Sequence, residues 1–98
     1  MMNKKIADLL NNQINQEFYS AYLYLDIANF YTKKGLDGFA NWYQVQAQEE
    51  RDHAMLFIQY LQNNSGKVTL EAIDKPDKKF EDYVGPLKAG LEHEVYVT

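Results

Sequence analysis

"YTKKGLDGFA", residues 31–40, decides how this chain folds. Lys33 and Lys34 place cations where the last turn of a helix favours them, and Gly35 accepts the left-handed cap. Asp37 then offers an acid for the first turn of a second helix. A link this short makes the two helices an antiparallel hairpin.

Upstream of the link, Ile6, Leu10, Ile14, Glu17, Ala21, Leu25 and Ala28 follow steps of three and four. They predict a helix over about 3–34 with one apolar face, broken only at Glu17. Downstream, Phe39, Trp42 or Tyr43, Gln46, Glu50, His53, Phe57 and Tyr60 or Leu61 repeat the pattern. That helix covers about 36–64 and ends at "NNSG", residues 63–66.

The pattern then changes. "KVTLEAIDKPDKKFEDYVG", residues 67–85, has no helical period and carries Pro76. A second helix of roughly 28 residues is about 42 Å long, and an extended crossover over about 65–84 is long enough to return along it. Gly85 and Pro86 open a partial third helix over about 85–98, with Leu87, Leu91, Glu94 and Thr98 on one side. The expected fold is therefore all-α: one incomplete domain, a hairpin plus a crossover plus part of a third helix. Further residues or a second chain would complete a four-helix bundle.

Composition removes several function classes. At 98 residues, 46% hydrophobic and 14% aromatic, the chain has material for one small core. Ten basic residues against 14 acidic ones give a net charge of −4, and no basic stripe invites nucleic acid. There is no cysteine, so disulfides, thiolate zinc sites and iron–sulfur clusters are excluded. "MMNKKIADLL" has no apolar run after its lysines, so neither a signal peptide nor a membrane span is expected there. The expected location is the cytoplasm, with no membrane partner.

Four chemically active residues fall on core-facing stripes: Glu17, Glu50, His53 and Glu94. Any one alone reads as a boundary residue with a buried stem and a hydrated head. Together they are harder to set aside. Glu50 and His53, three residues apart, reach one point from one helix face. Glu17 lies mid-helix, where an antiparallel partner brings the middle of the second helix close. One glutamate plus Glu-x-x-His is half of the set that holds two metal ions in a four-helix bundle. Carboxylates with imidazole suit iron in an open site, and metal ions would neutralise the buried charge.

The motifs "NxExxxxxxYL" around Glu17 and Tyr24, "QxxEExxHA" around Glu50 and His53, and "HE" at Glu94 resemble those of bacterial non-haem ferritins, the iron-storing ferroxidases. The resemblance runs through all 98 residues but covers only about the first 60% of such a subunit. It implies that Glu17, Glu50 and His53 ligate a first iron, that Glu50 bridges to a second, and that Glu94 ligates the second. It also implies that Glu49 serves a third site and that Tyr24 stands beside the reaction centre. Ligands from a fourth helix lie beyond this sequence. Haem-binding relatives carry methionine where Asp52 stands, so no haem is expected.

The implied activity is oxidation of Fe(II) to Fe(III) by O2 or peroxide, with the product stored as a ferric mineral in a homo-oligomeric shell. A rubrerythrin-like peroxidase shares the half-site but would need cysteines for its rubredoxin iron. A metal-free or engineered hairpin acting as a self-associating interaction module is the reading from a different class. Two assemblies would cover the hairpin's apolar face: a two-hairpin dimer, which contributes Glu17, Glu50 and His53 twice, or a ferritin shell that keeps the third helix and Glu94 in place.

Overall fold

The computed structural model describes residues 3–76. Two helices dominate them, α1 (Lys4–Lys33) and α2 (Asp37–Asn63), and no strand occurs among the described residues. The expected helix over 85–98, with Leu87, Leu91 and Glu94, and the crossover from residue 77 onward lie outside them.

Local chemistry sets the helix ends. Asn3 caps α1, its side chain accepting from the Lys5 amide at 2.7 Å. At the other end Gly35 adopts φ +77°, a left-handed conformation that costs glycine little. The Gly35 amide donates to the Thr32 carbonyl at 3.0 Å and the Leu36 amide to the Tyr31 carbonyl at 2.9 Å. Those are the two bonds of a Schellman cap. Leu36 also packs on the apolar cluster that contains Tyr31, which adds the hydrophobic contact typical of that cap. The helix therefore stops and reverses within three residues.

The same cap recurs after α2, with one difference. The Gly66 amide donates to the Leu61 carbonyl at 2.7 Å, while Ser65, not the glycine, takes the left-handed position at φ +62°. A side chain there costs energy that glycine would not.

The helices run antiparallel. Tyr31 stacks on Phe39 near the link, Tyr24 meets Tyr43 further along, and Glu17 approaches His53 mid-length. Two apolar clusters fill the seam. The one nearer the link holds Ala21, Leu23, Tyr24, Ile27, Ala28, Tyr31, Ala40, Tyr43 and Ala47. The far one centres on Ile14, Ala54 and Leu61, with Leu10, Phe18, Phe57 and Val68 packed against it. Glu17 and Glu50 lie between the two.

The seam follows the expected spacing with local corrections. Tyr24 is buried and Leu25 is exposed, because both fit a step of three or four from Ala21 and the face drifts toward the first. Of the paired choices on α2, Tyr43 and Leu61 point inward while Trp42 and Tyr60 face outward. Phe39 is half exposed even though it stacks on Tyr31.

After Gly66 the chain turns back along α1. Asn11 holds it from both sides, donating to the Lys67 carbonyl at 2.9 Å and accepting from the Thr69 amide at 2.8 Å. Asn15 accepts from the Glu71 amide at 3.2 Å. Position 67 lies beside residue 11 and position 71 beside residue 15, so this strap runs parallel to α1. The rest of the expected crossover, from residue 77 onward, lies outside the described residues.

Candidate metal centre

Glu17 sits on α1 between Ile14 and Ala21, and Glu50 sits on α2 between Ala47 and Ala54. Each therefore occupies a seam position whose neighbours one turn away are buried apolar residues. Glu17 and Glu50 are only 8% and 6% exposed as residues. Ionised carboxylates are costly at such depth unless something compensates them.

The compensation within the chain is partial. Glu17 Oε1 accepts a hydrogen bond from Gln13 Nε2 at 2.9 Å. Glu17 Oε2 is buried and has no hydrogen-bond partner among the described residues. His53 Nδ1 lies 3.6 Å from Glu17 Oε2 and 3.7 Å from Glu50 Oε2. Both distances are too long for a hydrogen bond.

One donor atom from each of Glu17, Glu50 and His53 falls within 4.8 Å of the others. Donors bound to a metal at about 2.0–2.2 Å stand roughly 3–4 Å apart, so this group is near the spacing that a cation would impose. A cation among them would engage Glu17 Oε2, which has no hydrogen-bond partner. The donor set, two carboxylate oxygens and an imidazole nitrogen, suits a divalent transition metal of the iron type.

The other expected site residues are placed differently. His53 does not face the core as its stripe position implied. Its side chain is 54% exposed, at the rim, with the imidazole edge turned to the carboxylates. Glu49 is exposed and stands outside the three-residue group. Tyr24 is fully buried in the cluster nearer the link, its ring 5.9 Å from that of Tyr43. Burial, with a smaller contribution from Tyr31, pushes the Tyr43 phenol up to about 12. Glu94 lies outside the described residues.

Sequence patterns also left residues unnoticed. Gln13, bonded to Glu17, stands four positions before it, and that spacing makes them neighbours on a helix. Asn11 and Asn15 gave no such signal, since their partners are 56 to 58 positions away.

A helical hairpin with two buried carboxylates and an imidazole converging between apolar clusters defines a helical protein with a candidate metal centre. The sequence pattern of the ferritin-like domain matches residues 7–98, and the chain belongs to that family. Among curated relatives it is 37% identical over 98 residues to a bacterial non-heme ferritin of Staphylococcus saprophyticus. It is 35% identical over the same length to one of Campylobacter jejuni. Each match takes in 100% of this chain and 59% of the relative, so the chain spans about three fifths of their length. Among solved structures, a closed form of the Archaeoglobus fulgidus ferritin made by site-directed mutagenesis superposes with a TM-score of 0.94 at 40% identity. That superposition takes in 99% of this chain and 59% of the other.

Proposed function

We propose that this chain acts in iron storage as a ferroxidase, with Fe(II) as substrate. The observation that carries the proposal is the buried Glu17 Oε2, without a hydrogen-bond partner, beside Glu50 and His53. Membership of the ferritin-like family and the bacterial non-heme ferritin names of its relatives support it. In this reading Glu17, Glu50 and His53 hold a first iron and Glu50 bridges to a second. Glu94 contributes to the second ion and Glu49 to a third. Tyr24 stands beside the centre, and no haem takes part.

Two Fe(II) ions give up one electron each. The electron pair and two protons convert O2 to H2O2, or H2O2 to two water molecules. The protein's part is to hold two metals close together with open positions for the oxidant. Glu17 and Glu50 supply negative charge that favours Fe(III) over Fe(II), and His53 at the rim fixes one coordination direction. The Fe(III) product is stored as mineral inside a shell of such subunits; a two-hairpin dimer is the alternative assembly, and it completes the metal site without enclosing a store. The cytoplasm is the compartment that fits; no helix of the described residues is long and apolar enough to cross a membrane.

Exposed Trp42, Leu56 and Tyr60 on the outer side of α2 favour a second reading, a metal-free hairpin that associates with itself. Adding O2 to chain preloaded with Fe(II) separates the two. The ferroxidase reading expects near-ultraviolet ferric–carboxylate absorption and O2 uptake, both abolished in Glu50→Ala and only slowed in His53→Ala. Equal rates in wild type and Glu50→Ala would leave the self-associating module in front.

A further inference from the structure

Glu17 has two carboxylate oxygens in unlike surroundings. Oε1 is engaged inside its own helix by Gln13 Nε2 at 2.9 Å, one turn before it. Oε2 is buried, has no hydrogen-bond partner, and lies 3.6 Å from the His53 ring nitrogen that also stands 3.7 Å from Glu50 Oε2. A carboxylate held by one oxygen loses most of its freedom to rotate. The amide therefore decides which oxygen is left to face the other donors.

We propose that Gln13 is a positioning residue for the metal centre, fixing Glu17 as a ligand through Oε2 alone. This rests on the ferroxidase reading above for the identity of the site. Gln13 is not itself among the gathered donors. It acts through Glu17 in the way that hydrogen-bonded neighbours orient metal-binding side chains generally. Its bond to Oε1 also disfavours two-oxygen chelation by Glu17, which would occupy an additional coordination position. A centre that must admit an oxidant needs that position open.

Co(II) is the probe, because its d–d bands report both occupancy and coordination number and it is not oxidised by air on binding a site of this kind. The full 98-residue chain is titrated with Co(II) as wild type, Gln13→Leu and Gln13→Glu. Leucine keeps much of the side-chain volume without the donor; glutamate keeps the shape and replaces the donor by a repelling acceptor. Both variants should retain wild-type helicity by circular dichroism and bind Co(II) about 10- to 100-fold more weakly. In Gln13→Leu the bands should also weaken at saturation, as Glu17 swings to bind through both oxygens and the coordination number rises.

The effect should vanish where Glu17 is already gone. Gln13→Leu added to Glu17→Gln should change Co(II) affinity by less than twofold, since residues acting through one contact are not additive. Wild-type affinity and spectrum in both single variants would overturn the positioning role and leave the ferroxidase reading standing. An equal further loss in the Glu17→Gln background would overturn it too. A wild-type chain that takes up no Co(II) would overturn both together.

Discussion

The half of the seam nearer the link and the layer beside it are built from the same two helices and differ in whether they are complete. The rings of Phe30, Phe39 and Tyr43 each pack on Tyr31 at centroid distances of 5.2 to 5.9 Å, and Tyr31 itself is fully buried. Each such ring pair adds about 0.5–1.5 kcal/mol beyond its buried area. Further along, the seam holds two carboxylates, of which Glu17 has one oxygen bonded to Gln13 and the other without a hydrogen-bond partner, and an imidazole at the rim. The aromatic region stabilises the hairpin as it stands. The carboxylate layer, with Glu17 Oε2 buried and without a hydrogen-bond partner, contributes less.

The largest effect expected is in the aromatic half. Tyr31→Ala should cost about 3–5 kcal/mol in urea unfolding, because a fully buried ring leaves a cavity between two helices. A loss below about 1 kcal/mol would mean that the stacked rings do not hold the link together. Next in size, and opposite in sign, is the carboxylate layer. Glu17→Leu should raise metal-free stability by about 1–3 kcal/mol, since it removes a buried charge with an unsatisfied oxygen. It should also abolish Fe(II) oxidation. A lower melting temperature for this variant without metal would remove Glu17 from the unsatisfied seam.

Alkaline pH probes the aromatic half again. The Tyr43 phenol is raised from the ordinary value of 10 to about 12 in the folded chain, chiefly by burial. The unfolded chain therefore releases this proton first, and the contribution is fully present below pH 10 and lost as pH rises to about 12. Unfolding free energy should fall across that window, and Tyr43→Phe should flatten the fall. A slope unchanged in Tyr43→Phe would assign the loss to other tyrosines.

The smallest effect lies outside both regions. Ser65 holds a left-handed conformation at φ +62°, so Ser65→Gly should stabilise the cap of α2 by about 1 kcal/mol. Thermal unfolding of that variant should move upward; no change would show that the cap relaxes around serine without strain.

Legibility in the sequence followed the range of the interactions. The hairpin was readable because "KKGL", residues 33–36, spells a Schellman cap within four positions. The Glu17–Glu50–His53 group was readable because helical spacing and an antiparallel link together dictate which residues meet. What escaped was set by competition or by distance. Tyr24 and Leu25 satisfy the same periodicity, and only packing against Tyr43 chooses between them. His53 was expected toward the core, yet the step from Glu50 to Ala54 takes the buried line past it and leaves the ring at the rim. The strap held by Asn11 and Asn15 depends on backbone atoms far along the chain, which no local pattern encodes.

Thermal unfolding with and without Fe(II) under oxygen-free conditions tests the central claim most directly, since it asks whether the carboxylate layer is completed by metal. Ligand that binds only the folded chain raises stability by RT ln(1 + [L]/Kd), about 2.7 kcal/mol at a hundredfold excess over Kd. Wild type should start below Glu17→Leu without metal and rise with Fe(II), while Glu17→Leu should gain little. A wild-type melting temperature indifferent to Fe(II), or an equal rise in both proteins, would contradict the assignment of Glu17, Glu50 and His53 as the metal centre.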